Sequence, residues 1–111
     1  MELPNKSKAQ VSITKIVNYL LSETHPLGKS KARYFRSHGF NDENVAELAS
    51  GFLLIAKNSQ AERSERSLFG VKYVINGELS TPNGDMIRVR TIWIIENNSD
   101  LPRFVTAYPA G

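Results

Sequence analysis

Three apolar stripes and then three alternating runs organise this chain. Ile13, Ile16, Val17, Leu20 and Leu21 fall at i, i+3, i+4, i+7 and i+8, one face of an α-helix with Ser12 placed to cap it. Pro26 and Gly28 mark its end. A short second helix is expected from Ser30 to His38, with Gly39 in the left-handed position after it and Phe40 folding back onto Phe35. A third starts at Asn41 or Asp42 and carries Val45, Leu48, Ala49, Phe52, Leu53 and Ala56 on one side.

Beyond Ala56 the period changes. Asn58 to Ser67 (NSQAERSERS) is polar and aperiodic and reads as a surface loop. Gly70 to Leu79 alternates, Thr81-Pro82-Asn83-Gly84 is a strong turn signal, and Met86 to Glu96 is the clearest strand. In that strand Ile87, Val89, Thr91, Trp93 and Ile95 share one face, and Ile92 and Ile94 make its second half apolar on both, as a central strand requires. Arg103 to Tyr108 gives the last strand. Helices first, then an antiparallel meander, predict an α+β domain with N-terminal helices packed on a small C-terminal antiparallel sheet. Residues 1–10 are expected to be an extended lead-in to a single domain over 1–111.

Composition narrows the chemistry. The chain has 111 residues and no cysteine, so disulfides, thiolate metal sites and cysteine nucleophiles are excluded. Its formal charge is +3, and seven cations (Lys6, Lys8, Lys15, Lys29, Lys31, Arg33, Arg36) precede Phe40 against Glu2 and Glu23. That bias suits a polyanionic partner without demanding one. No signal-peptide plan, membrane-length apolar run, nucleotide-binding glycine loop, metal-ligand spacing or serine elbow is present. No metal or cofactor is expected.

What remains is a polar cluster. His25, in the break between the first two helices, either exchanges a proton near neutral pH or caps the carbonyls of the first helix. Lys31, beside the buried stripe of the second helix, either reaches a ligand held by the preceding loop or lays its stem along the surface. Lys29, Arg33 and Arg36 share a face read as solvated. On the last strand Thr106 and Tyr108 point one way and Arg103 the other, unless a bulge intervenes. Trp93 reads as core.

The pattern His25-Pro26-x-Gly28-x-x-Lys31-Ala32-x-x-Phe35, then Gly39-Phe40, Tyr73, the Thr81–Gly84 turn, Trp93 and Pro102-Arg103-x-x-Thr106-x-Tyr108-Pro109 resembles an unnamed family of bacterial toxin-like domains. Such domains occur in contact-dependent growth inhibition and other polymorphic toxins, and their layout is similar to the barnase/EndoU/colicin/RelE ribonuclease fold. The resemblance raises His25, Lys31, Arg103, Thr106 and Tyr108 together as catalytic candidates. It implies a metal-independent endoribonuclease, acting on tRNA through attack of the substrate's 2′-hydroxyl to leave a 2′,3′-cyclic phosphate. The implied partners are RNA and a cognate acidic immunity protein, with no membrane. The implied setting is a secreted or surface-delivered module acting in the target-cell cytoplasm, or a cytoplasmic protein. A non-catalytic RNA-binding module and a protein-interaction domain are the alternatives.

Overall fold

The computed structural model describes residues 1–110. A 3-10 turn (Lys6–Lys8) leads to α1 (Ile13–Lys15), which passes directly into a π-helical turn (Ile16–Leu20). Next come α2 (Lys29–Ser37) and α3 (Val45–Asn58). Four strands follow: β1 (Ala61–Arg66), β2 (Gly70–Ser80), β3 (Met86–Glu96) and β4 (Arg103–Pro109). The strands form one antiparallel sheet in the order β1-β2-β3-β4, and the three helices pack on one of its faces. The expected α+β arrangement is therefore the observed one.

Several local expectations change. The first helix ends well before Pro26, because the Leu21 amide bonds back to the Ile16 carbonyl at 2.8 Å, a five-residue step that widens the last turn. Its open end is closed by Arg36, whose Nε and Nη2 donate to the Leu21 carbonyl at 3.0 and 2.7 Å while Nη2 also reaches Asp42. Arg36 is thus a structural clasp between α1 and α2, not part of a solvated cationic face. The third helix starts at Val45, later than expected. The Asn41 side chain accepts from the amides of Glu43 and Asn44, an Asx-type turn that competes with helix.

The segment expected to be a loop contains a strand. In β1 only Ala61 is buried, so no alternation of apolar residues betrays it. The lead-in is not a free extended arm either. Leu3 is buried in the core, and Gln10 pairs in parallel with β4, its amide donating to Pro102 and its carbonyl accepting from Phe104. The Schellman closure does form: Gly39 sits at φ 98° and the Phe40 amide donates to the Phe35 carbonyl at 3.2 Å.

The core is an aromatic chain running from sheet to helices. Trp93 meets Phe104 edge-on at 5.5 Å, Phe104 stacks on Phe52 at 4.7 Å, and Phe52 meets Phe35, which meets Phe40. The central strand also buries a polar relay. The Trp93 indole donates to the Thr91 hydroxyl at 2.8 Å, which donates to the Ile75 carbonyl at 2.7 Å. Both side chains are fully buried. Thr91→Val keeps the shape but strands the indole N–H, so urea unfolding is expected to show a loss of about 1–3 kcal/mol. A loss near zero would mean that the relay contributes nothing.

Candidate functional site

The site forms where the π-helical turn meets the edge strand β4. Register fixes what β4 presents. Phe104 pairs with Trp93 and Thr106 with Ile92, so Val105 is an extra residue in a bulge. Phe104 and Ala107 both face the core. Arg103, Thr106 and Tyr108, opposite Ile94, Ile92 and Arg90, consequently share the other face. Simple alternation would have turned Arg103 away.

Tyr19, which the sequence did not single out, is the hub. The wide turn sends Ile16, Leu20 and Leu21 into the core and leaves Tyr19 half-buried on their flank. Its phenol lies 3.3 Å from the Thr106 hydroxyl. The His25 ring meets its ring edge-on, with centroids 5.0 Å apart. Lys31 Nζ lies 5.6 Å from the ring centre and Lys15 Nζ 5.9 Å. Gly28 permits this approach: a Cβ there would fall 2.1 Å from the Tyr19 carbonyl oxygen. The glycine is needed for space, not as a helix stop.

The remaining candidates take up distinct positions. His25 Nδ1 accepts the Leu27 amide at 3.0 Å, which places the proton of the neutral ring on Nε2. Lys31 Nζ donates to the Leu27 carbonyl at 3.3 Å. Arg103 is exposed and held by Glu96, with Nε to Oε1 at 2.7 Å. It also borders a groove of about 510 Å³ whose lining includes Gln10, Ser12, Lys15 and Phe104. Tyr108 stands further along β4 beside Arg90, which is tied to Asn76 and Glu62. His25, Lys31 and Thr106 therefore converge on Tyr19, whereas Arg103 and Tyr108 flank that centre along the strand. The signal that could have revealed Tyr19 is its place in a helix bearing Lys15 on the same flank, but the π-turn that aims it has no sequence mark.

The electrostatics follow from this packing. Burial pushes the Tyr19 phenol up, but the hydrogen bond from Thr106 and the ammonium groups of Lys31 and Lys15 outweigh it and hold the phenol below its ordinary 10.0. Burial, then the nearby Arg103 guanidinium, lower the Lys15 ammonium. Arg103 holds the Glu96 carboxyl below its usual range. Elsewhere, burial and then Asp85 raise the Tyr34 phenol. Among the described residues no three His, Asp or Glu side chains gather as a metal site, and no helix is long and apolar enough to cross a membrane.

A spectrophotometric titration tests the assignment of Tyr19. Tyr19 is expected to ionise below the ordinary 10.0, and Tyr19→Phe to remove that transition. Lys31→Met is expected to move it upward. Because the folded-state value is the lower one, the phenolate adds stability as pH rises between it and 10.0, and the contribution is lost as pH falls through it. Persistence of that transition in Tyr19→Phe would refute the assignment.

Comparison with known proteins places the chain. The family model described as a domain of unknown function, DUF6883, matches residues 2–111, so the chain belongs to that family. No curated protein matches it. Among solved structures, the fold is similar to a chain of a contact-dependent growth inhibition toxin–immunity protein complex from Klebsiella pneumoniae 342. The TM-score is 0.72 and the identity 17%, with 96% of this chain and 97% of that one covered. At that identity the likeness is one of fold.

Proposed function

We propose that this member of the family is a metal-independent ribonuclease toxin acting on tRNA. The observation that carries the reading is the convergence on Tyr19 of a hydroxyl, two ammonium groups and an imidazole at one sheet edge. These are the donors and charges that phosphodiester transfer requires, gathered by residues distant in sequence. The fold shared with a chain of a toxin–immunity complex supports the toxin setting. The formal charge of +3 favours the toxin side of such a pair, with an acidic immunity protein as its complement.

In this reaction the 2′-oxygen bonds to the adjacent phosphorus and the bond to the 5′-oxygen breaks. The products are a 2′,3′-cyclic phosphate and a 5′-hydroxyl. Tyr19, as phenolate, accepts the 2′-hydroxyl proton, and the Lys31 ammonium supplies one to the departing 5′-oxygen. The His25 Nε2–H gives a hydrogen bond to a phosphate oxygen. For His25 itself to act as base or acid, its Nδ1 contact with Leu27 must be released. Thr106 donates its hydroxyl hydrogen to the Tyr19 phenolate, Arg103 and Lys15 add positive charge, and Tyr108 stacks on a base.

The test is cleavage of total bacterial tRNA in EDTA, with circular dichroism confirming that each variant is folded. Wild type should give discrete products bearing 5′-hydroxyl ends. Tyr19→Phe should fall by about 10²–10⁴-fold, and His25→Ala by about 10²–10³-fold as a lost phosphate donor. Activity should rise with pH as the Tyr19 phenolate forms. Intact tRNA with folded wild type would overturn the enzyme reading.

A further inference from the structure

The sheet ends differently at its two edges. The start of β4 is covered by the Gln10 backbone, but beyond Ala61, whose amide donates to the Met1 carbonyl, no strand among the described residues lies along the outer side of β1. From Glu62 to Arg66 every residue is exposed. A bare edge offers a row of amides and carbonyls to another strand. Proteins often block such an edge with charge, so the arrangement of the charges decides what the edge is for.

Hydrogen-bonding phase and charge here select one partner and one register. The Ser67 amide donates to the Gly70 carbonyl across the hairpin, so alternation points the amides of Glu65 and Arg63 at β2 and those of Ser64 and Arg66 outward. We propose that the β1 edge is a self-pairing surface, on which a second copy of this chain adds its own β1 antiparallel about a twofold axis at Ser64. Two four-stranded sheets then become one of eight strands. Ser64 meets Ser64 of the second copy with outward amides and carbonyls facing each other. Arg63 lies opposite Glu65 of the second copy, and Glu65 opposite its Arg63. Within one copy these two side chains already pair at 3.1 Å on the sheet's outer face. Glu62 is held in its own sheet by Arg90 and Asn76.

The neighbouring registers of the same phase fail. An axis at Arg63 sets arginine against arginine, and one at Glu65 sets glutamate against glutamate, both destabilising. The selected register also brings each hairpin tip level with Ala61 of the other copy. That tip carries Leu68 and Phe69, 89% and 74% exposed. Its backbone is held by Asn97, which donates to the carbonyls of both residues. Met1, 59% exposed and fixed beside Ala61, supplies an apolar surface for the tip to meet. An isologous contact of this kind closes after two copies.

Sedimentation and light scattering of the full chain across micromolar to millimolar concentration test the proposal. The expected species is a dimer of twice 12.4 kDa that weakens as salt is raised. Ser64→Pro removes an amide that faces outward in the monomer, so the fold should survive, by circular dichroism, while the dimer is lost. Glu65→Arg alone should also give monomer, and Arg63→Glu with Glu65→Arg should restore the dimer. A wild type that stays monomeric throughout would overturn the proposal and assign the charges to blocking the edge. So would a dimer indifferent to both Ser64→Pro and Glu65→Arg. Neither result bears on tRNA cleavage, which is read separately.

Discussion

The structure depends on Phe104 facing inward. Its ring lies between Trp93 of the sheet and Phe52 of α3, and through Phe52 it joins Phe35 and Phe40. Burying aromatic area at this density supplies much of the folding energy available to a domain of this size. Ala107 must also face the core, an odd three residues later, where a regular strand would turn it outward. The bulge at Val105 reconciles the two. Its consequence reaches beyond packing, because Arg103, Thr106 and Tyr108 all emerge on the opposite face. The core thus sets which polar groups β4 presents.

A second constraint acts from the helical side. Ile16, Leu20 and Leu21 are all fully buried, and the π-helical turn allows these three to share one side. Tyr19 is then carried to the flank that faces Thr106. Gly28 lets the following loop press against the Tyr19 carbonyl, which brings His25 and Lys31 alongside. Removing bulk at Gly28 and adding a residue to both helix and strand are three independent departures from regular geometry. They meet at one place, as expected where local regularity yields to a site.

The elements legible in the sequence were those with an apolar period. The stripes of α2 and α3, the alternation of β2 and β3, and the turn between them all correspond to buried residues. β1 was illegible because AERSER buries only Ala61, and an edge strand exposed on both sides needs no apolar pattern. The early residues read as an extended lead-in because one leucine does not make a period, yet Leu3 is buried and Gln10 is paired. At the candidate site, His25, Lys31 and Thr106 were candidates one by one, and their meeting point at Tyr19 was not legible. Tyr19 lies at the margin of the helical stripe, and a π-turn depends on tertiary packing that no local propensity encodes. Arg36 was misjudged for a related reason: its spacing matched a solvated face, but the orphan carbonyl of Leu21 lies within its reach.

The two sheet edges differ in what they present. Gln10 pairs at the start of β4, beside Arg103, and further along the strand Thr106 shares a hydrogen bond with Tyr19. β1 keeps its backbone open, and its charges can therefore be read by another strand. Three strand spacings separate these edges, roughly 14 Å at the usual 4.7–4.9 Å per strand. A copy added at β1 extends the sheet away from Tyr19 and leaves the β4 edge uncovered. Under the proposed function an acidic inhibitor would instead approach from β4, where Arg103 already pairs with the Glu96 carboxylate. An acidic side chain placed there competes with Glu96 for the same guanidinium, while strand pairing at β1 neither helps nor hinders it.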